Sequence, residues 1–157
     1  MSSASPHTTL QDELKLISCL IDLMKQEQQF LIAANTDGLA TLTPLKTQLI
    51  EQAAALAVQR HRCLAAENFP ESEVGMESWL ARMSNPSASA TWQQLLGKTR
   101  EAKEQNRING MLINKQLTHN QQLITAMRTP AGAADTSFYG PQGQTTAVTG
   151  KRGLAVG

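Results

Sequence analysis

The side chains most often used for catalysis and metal binding are few in this chain and poorly placed for either task. His61 and Cys63 lie two residues apart on a predicted helix, so they point to different faces and cannot share a metal ion. Glu101 and Glu104 share a helix face, but their neighbours are Lys, Arg and Gln, which is typical of a solvated surface rather than an acid–base pair. The sequence contains no Glu-x-x-His pair, nucleophile motif or glycine-rich phosphate loop. We therefore predict that the protein is not an enzyme and holds no metal or cofactor.

The charge balance argues against two further classes of partner. Fourteen basic and thirteen acidic residues give a net charge of +1, which supplies no long-range field to recruit nucleic acid or an anionic membrane. The N-terminus lacks the basic and apolar regions of a secretory signal, and no apolar run approaches the roughly 20 residues that span a bilayer. We predict a cytoplasmic protein that neither binds nucleic acid nor inserts into a membrane.

The most distinctive feature of the chain is a helix face that mixes amide and aliphatic side chains. Alternating steps of three and four place these residues on one side of a helix: Asn106, Asn109, Ile113, Leu117, Asn120, Ile124 and Met127. Buried amides cost free energy unless each finds a partner, and Asn in a helical seam favours choice of partner over stability. Gly110 costs about 1 kcal/mol relative to Ala but admits close approach of another helix. The pattern predicts a face that receives other helices, and a polar seam within the protein's own bundle is the alternative.

The elements that would carry this face are helices. The hydrophobic content is 41% but the aromatic content only 4%, so the core consists mainly of Leu, Ile, Ala and Met, which favours helices over sheets. We end the first helix at Asn35-Thr36-Asp37-Gly38 and start the second at Thr43-Pro44, because Thr can cap a helix and Pro suits its first position. Apolar periodicity and breaker residues predict helices at about residues 9–34, 44–66, 72–83 and 89–128. The predicted fold is all-α, a coiled-coil-like antiparallel bundle of three long helices and one short helix over residues 1–128.

The composition changes beyond Thr129-Pro130. Residues 129–157 are rich in Ala, Gly, Ser and Thr, and such a segment cannot bury enough apolar surface to offset the entropy of ordering it. We predict a flexible tail. The adjacent aromatics Phe138 and Tyr139 predict a short docking motif within it, and the alternative is that they fold back onto the bundle.

The last helix and the tail resemble the FlgN family of flagellar export chaperones. In the helix the resemblance rests on Asn106-x-x-Asn109-Gly110-x-Leu112-Ile113, followed by Gln116-Leu117, Asn120-Gln121 and Leu123. In the tail it rests on Tyr139-Gly140-x-x-Gly143-Gln144. Family members share an N-x-x-N-G-hydrophobic-L stretch and a Y-G-x-x-G-Q motif after it. The chain from Leu10 to Ala66 resembles the family only in its spacing of Leu and polar residues.

The resemblance implies a small cytosolic helical chaperone dedicated to the hook-associated proteins that form the hook–filament junction. Such a chaperone binds the terminal helical segments of these subunits, prevents their premature assembly and delivers them to the membrane-embedded export gate. The resemblance places client binding at Asn106, Asn109, Gly110, Leu112, Ile113, Leu117, Asn120, Leu123 and Ile124. It places docking to the export gate at Phe138 and Tyr139.

Two other interpretations of the same helix face stay open. A helical coiled-coil adaptor with an unrelated partner would use the face without any contribution from Tyr139. A homo-oligomer would pair the Asn-rich faces of two copies and would lose self-association when Asn109 or Gly110 is replaced by Leu.

Overall fold

The computed structural model describes residues 4–128, and every regular element within that range is a helix. The prediction of an all-α fold is confirmed. The four helices are α1 (Leu10–Ile32), α2 (Thr36–Ala66), α3 (Glu73–Met83) and α4 (Pro86–Arg128). The predicted tail with Phe138 and Tyr139 lies outside the described residues.

The chain divides into two units, and the boundary follows Ile113. The described part of the first unit comprises residues 4–113, which contain α1, α2, α3 and most of α4. The described part of the second unit is residues 114–128, the last turns of α4.

The predicted start of α2 is wrong, since the helix begins at Thr36 rather than near Pro44. Asn35 is its N-cap, and the Oδ1 atom of this residue accepts a hydrogen bond of 2.9 Å from the backbone N–H of Gly38. Ala34 has a φ of 54° and makes the left-handed turn that separates the two helices. The Asn-Thr-Asp-Gly stretch, which the sequence predicts to end the first helix, therefore begins the second one. Pro44 is exposed and lies inside α2.

The core of the first unit consists of two apolar clusters. The larger one joins the start of α1, the end of α2, α3 and the start of α4 through Leu10, Leu64, Met76, Trp79, Leu80, Ala88, Trp92 and Leu95. The smaller one joins the middle of α1 to α4 through Leu20, Ile21, Met24 and Ala102. Full burial of such a side chain contributes about 1.5–3 kcal/mol, so these clusters hold the helices together.

A buried ion pair links α1 to α2 beside the larger cluster. Arg60 donates from Nε to Glu13 Oε2 at 3.0 Å and from Nη2 to Glu13 Oε1 at 3.1 Å. The hydroxyl of Thr9 donates to the same carboxylate at 2.7 Å, and the guanidinium of Arg60 lies 4.9 Å from the ring centre of Trp92. Because a buried charge is costly without its partner, this pair disfavours any other register between α1 and α2.

The start of α3 requires a glycine. Ser72 caps the helix, and its hydroxyl oxygen accepts a hydrogen bond of 3.2 Å from the backbone N–H of Gly75. A Cβ atom on Gly75 would lie 1.8 Å from the carbonyl oxygen of Pro70, far inside van der Waals contact. Only glycine therefore allows the loop before α3 to pack this closely against the helix.

Candidate partner-binding surface

The first half of the predicted face contains a residue that the bundle uses internally. Asn109 is only 1% exposed. Its Nδ2 donates to the carbonyl oxygen of Met24 at 2.8 Å and to Glu27 Oε1 at 2.7 Å, while its Oδ1 accepts from Gln105 at 3.1 Å. At this position the face is a polar seam between α1 and α4. Both N–H donors of the Asn109 amide are used within the bundle, and its burial keeps the side chain from a partner.

Lys46 on α2 extends the same seam to a third helix. Its ammonium donates to Glu27 Oε1 at 3.1 Å and to Asn106 Oδ1 at 2.9 Å. Asn106 is exposed, but its carbonyl oxygen is already engaged in tying α4 to α2. The sequence analysis missed Glu27 and Lys46. Glu27 follows Met24 by three residues and precedes Leu31 by four, so the sequence places a carboxylate on an apolar face of α1. This spacing could have indicated Glu27, but its partners are distant in sequence.

Gly110 does not serve packing within the described chain. A Cβ atom built on it would meet no atom within 4 Å. The predicted close approach of another helix is therefore not made by any described element. Next to it, Leu112 is half-buried and Ile113 is exposed.

Residues 114–128, taken by themselves, form a helix whose large apolar side chains are exposed. Leu117 is 55% exposed and Met127 is 85% exposed, and Leu123 and Ile124 are also exposed. Asn120, between them on the helix, is exposed as well. A set of aliphatic side chains left in water at helical spacing is typical of an interaction surface.

The polar composition of this helical segment is one-sided. Residues 114–128 contain amides and the cations Lys115 and Arg128 but no Asp or Glu. Its electrostatic potential therefore favours a partner that brings carboxylates rather than lysines. The alternating apolar and amide positions are suited to a partner helix that can both pack and hydrogen-bond.

An exposed ion pair precedes this segment on α4. Arg107 donates to the carboxylate of Glu104 from Nε at 3.0 Å and from Nη2 at 2.6 Å. The hydrogen bond from Arg107 lowers the pKa of Glu104, and the same contact raises the pKa of Arg107. Both groups are solvent-exposed, so salt screens their attraction.

Residues 4–128 contain neither a candidate metal-binding cluster nor a helix that could span a membrane. No group of three or more His, Cys, Asp or Glu side chains in that range is placed to hold a metal ion. Over the same residues, no helix combines the length and the hydropathy needed to cross a membrane.

Comparison with known proteins gives a consistent family. The family model described as FlgN protein matches residues 1–147. The flagella synthesis protein FlgN of Yersinia enterocolitica is 25% identical over 138 residues, which cover 87% of this chain and 86% of that protein. The protein of the same name from Salmonella typhimurium is 24% identical over 139 residues, covering 88% of this chain and 84% of the relative. No solved structure matches the chain at a significant level.

Proposed function

The chain belongs to the FlgN family, and from that premise we propose that it is a cytoplasmic flagellar export chaperone for the hook-associated proteins. It binds their terminal helical segments, prevents their premature assembly at the hook–filament junction and delivers them to the export gate. Its relatives are named flagella synthesis proteins, which supports a role in flagellum synthesis. The client and the delivery step are our proposal.

The observation that carries this proposal is the exposed aliphatic face of residues 114–128. A client helix that covered Leu117 and Ile124 would remove from water side chains that are each about half exposed. Full burial of such a residue is worth about 1.5–3 kcal/mol, so each of these would contribute roughly half of that amount. Asn120, between them, offers a donor and an acceptor that can fix the register of the client.

The proposed client surface differs from the predicted one at a single residue. We retain Asn106, Gly110, Leu112, Ile113, Leu117, Asn120, Leu123 and Ile124 as client contacts. We leave out Asn109, because its side chain is buried and both of its N–H donors are used within the bundle. Docking of Phe138 and Tyr139 to the export gate stays a prediction, since both lie outside the described residues.

The test is a calorimetric titration with a peptide that covers the C-terminal helix of a hook-associated protein from the same cell. The wild type is compared with a Leu117→Asp/Ile124→Asp variant and with a Thr118→Asp/Gln122→Asp control. The control adds the same two charges to exposed positions of the same helix, away from the aliphatic face. We expect a saturable one-to-one isotherm for the wild type and the control.

The face variant is expected to bind at least about tenfold more weakly, which corresponds to roughly 1.4 kcal/mol. Circular dichroism of each variant checks that the helices remain folded. If both double variants bind the peptide like the wild type, the client does not use this face. If the folded wild type gives no heat, and sedimentation shows a mass that rises with concentration, the homo-oligomer replaces the chaperone as the better explanation.

A further inference from the structure

An open groove runs between α2 and α4, with α1 as its floor. It consists of two adjoining cavities of about 560 and 240 Å³, which share Ile17, Ile50, Thr99 and Lys103 in their walls. Only residues of the first unit line it, and it shares a single residue, Asn106, with the proposed client surface. The proposed client surface does not explain it.

The dimensions of the groove match a short helix. Its wall on α2 extends from Lys46 to His61, and its wall on α4 extends from Trp92 to Asn106. At a rise of 1.5 Å per residue each wall is about 21 Å long, or about four helical turns. The hydrogen bond from Lys46 to Asn106 closes one end, and the residues that open α3 line the other. A helix of about fourteen residues would fill this length.

The walls are apolar, and small side chains on α2 leave open space between the two helices. Ala53, Ala54 and Ala57 line the larger cavity on α2, opposite Leu95 and Leu96 on α4. Ile50, which belongs to both cavities, is 47% exposed although it faces other aliphatic side chains. A helix lying here would contact α2 and α4 together and complete a four-helix arrangement.

The charged side chains around the groove indicate which charges an occupant helix would carry. Lys103 lies where the two cavities meet and makes no hydrogen bond or ion pair in the described part of the chain. Lys46, at the closed end, is already paired with Glu27 at 3.1 Å and adds little net charge. His61 and Glu73 lie at the α3 end, where the only other carboxylate, Glu13, is committed to Arg60. Lys103 therefore favours a carboxylate on the occupant where the two cavities meet.

Two buried donors in the wall of the larger cavity are also without a partner. The Nη1 atom of Arg60 and the Nε1 atom of Trp92 make no hydrogen bond within residues 4–128, and both residues are more than nine-tenths buried. Unsatisfied buried donors cost free energy, but both atoms are buried and offer no direct contact to an occupant of the open groove.

We propose that this groove binds a short amphipathic helix of a partner protein, with its aliphatic face against Ile50 and the alanines of α2 and with acidic residues beside Lys103. This interaction site is formed by α1, α2 and α4 of the first unit, and Asn106 is the one residue that it shares with the proposed client surface. It gives the protein two helix-binding surfaces of different shape, a bounded groove and an open face.

The probe is a designed helical peptide of about fourteen residues. It has Leu at heptad positions a and d, Glu at positions e and g in one half, and Ala at the remaining positions. The matched peptide carries Lys in place of each Glu. Full-length protein labelled with nitrogen-15 has two tryptophans, so it gives two indole N–H resonances. Trp92 lines the groove. Trp79 does not line it, and its indole N–H donates a hydrogen bond of 3.1 Å to Glu67, so its resonance serves as the internal reference.

The wild type is compared with a groove-filling variant, Ala53→Leu/Ala57→Leu, and with an Ala40→Leu/Ala55→Leu control. The control makes the same chemical change at exposed positions of the same helix that do not line the groove. Extra aliphatic volume in an open groove leaves the helix intact, and circular dichroism verifies this. A Lys103→Glu variant, matched by Lys15→Glu outside the groove, tests the charge.

We expect the Glu peptide to shift the Trp92 resonance saturably and the Trp79 resonance little. Filling the groove should weaken binding at least about tenfold by steric overlap, and the control should change it less than about twofold. Lys103→Glu should weaken the Glu peptide and strengthen the Lys peptide, and Lys15→Glu should do neither.

Three results would overturn the proposal. The first is no saturable shift of Trp92 at peptide concentrations up to about 1 mM. The second is equal affinity for the groove-filling variant and the wild type, or for the two peptides. The third is a dimer of the free protein that becomes monomeric in the groove-filling variant, since the occupant would then be a second copy of the chain. A loss of hook-associated peptide binding in the Leu117→Asp/Ile124→Asp variant leaves this proposal untouched, so the two proposals fail independently.

Discussion

Replacement of Asn109 by Ala should destabilise the bundle far more than replacement of any exposed asparagine of α4. The change removes two hydrogen bonds from Nδ2 to Met24 and Glu27 and one from Gln105 to Oδ1. A hydrogen bond to a charged group is worth about 1.5–3 kcal/mol, and the space left by the amide adds about 1 kcal/mol. The better helix propensity of Ala returns roughly 0.5 kcal/mol. We therefore expect a loss of about 2–3.5 kcal/mol in the free energy of unfolding.

The assay is urea denaturation followed by far-ultraviolet circular dichroism. With a slope of about 1–3 kcal/mol per molar urea, this loss lowers the midpoint by about 0.7–3.5 M. Asn120→Ala is the control, because this residue is exposed and lies on the same face of the same helix. Its midpoint should stay equal to the wild type or rise slightly. A midpoint for Asn109→Ala no lower than that of Asn120→Ala would refute the conclusion that the buried amide holds α1 to α4.

Three further predictions concern single residues of the first unit. Gly75→Ala should lower the urea midpoint severely, since its Cβ would lie 1.8 Å from the carbonyl oxygen of Pro70, and an unchanged midpoint would contradict the close approach. Gly110→Ala should instead raise the free energy of unfolding by about 0.5–1 kcal/mol, because a Cβ there meets nothing within 4 Å and Ala is the better helix former. The lowered pKa of Glu104 beside Arg107 means that this pair stabilises the fold above the ordinary glutamate pKa, and that its contribution is lost as the pH falls through the lowered pKa. Glu104→Gln should therefore reduce the urea midpoint at neutral pH and low salt but not in acid or at high salt, whereas an equal effect at all pH values would exclude the ion pair as its cause.

The helical fold could be predicted because the apolar spacing and the breaker residues agree along most of the chain. The start of α2 could not, since the side chain of Asn35 can accept a hydrogen bond at either end of a helix. The choice depends on the left-handed turn at Ala34, for which Ala gives no local signal. Local chemistry was ambiguous at this point, and the packing of α2 against α1 decided it.

The candidate surface was predictable in its spacing but not in the state of each residue. Asn109 and Asn120 occupy equivalent positions on the same helical face, yet one is buried and the other is exposed. The difference comes from Glu27 and Lys46, which are far from α4 in sequence and supply the charge that holds the amide of Asn109 or its neighbour Asn106. The residue spacing within α4 alone cannot show which of its amides forms a hydrogen bond with a carboxylate that is distant in sequence.

The continuity of α4 has a kinetic consequence for recognition. An isolated helix of about fifteen residues is marginal in water, because its first turn fixes several dihedral angles for a single hydrogen bond. Residues 114–128 avoid that nucleation step, since the helix that contains them already begins at Pro86. Elongation proceeds in nanoseconds per residue, so any frayed turns re-form far faster than a partner diffuses to them. The rate of association at this face should therefore be set by the collision and by the folding of the partner, not by the folding of α4.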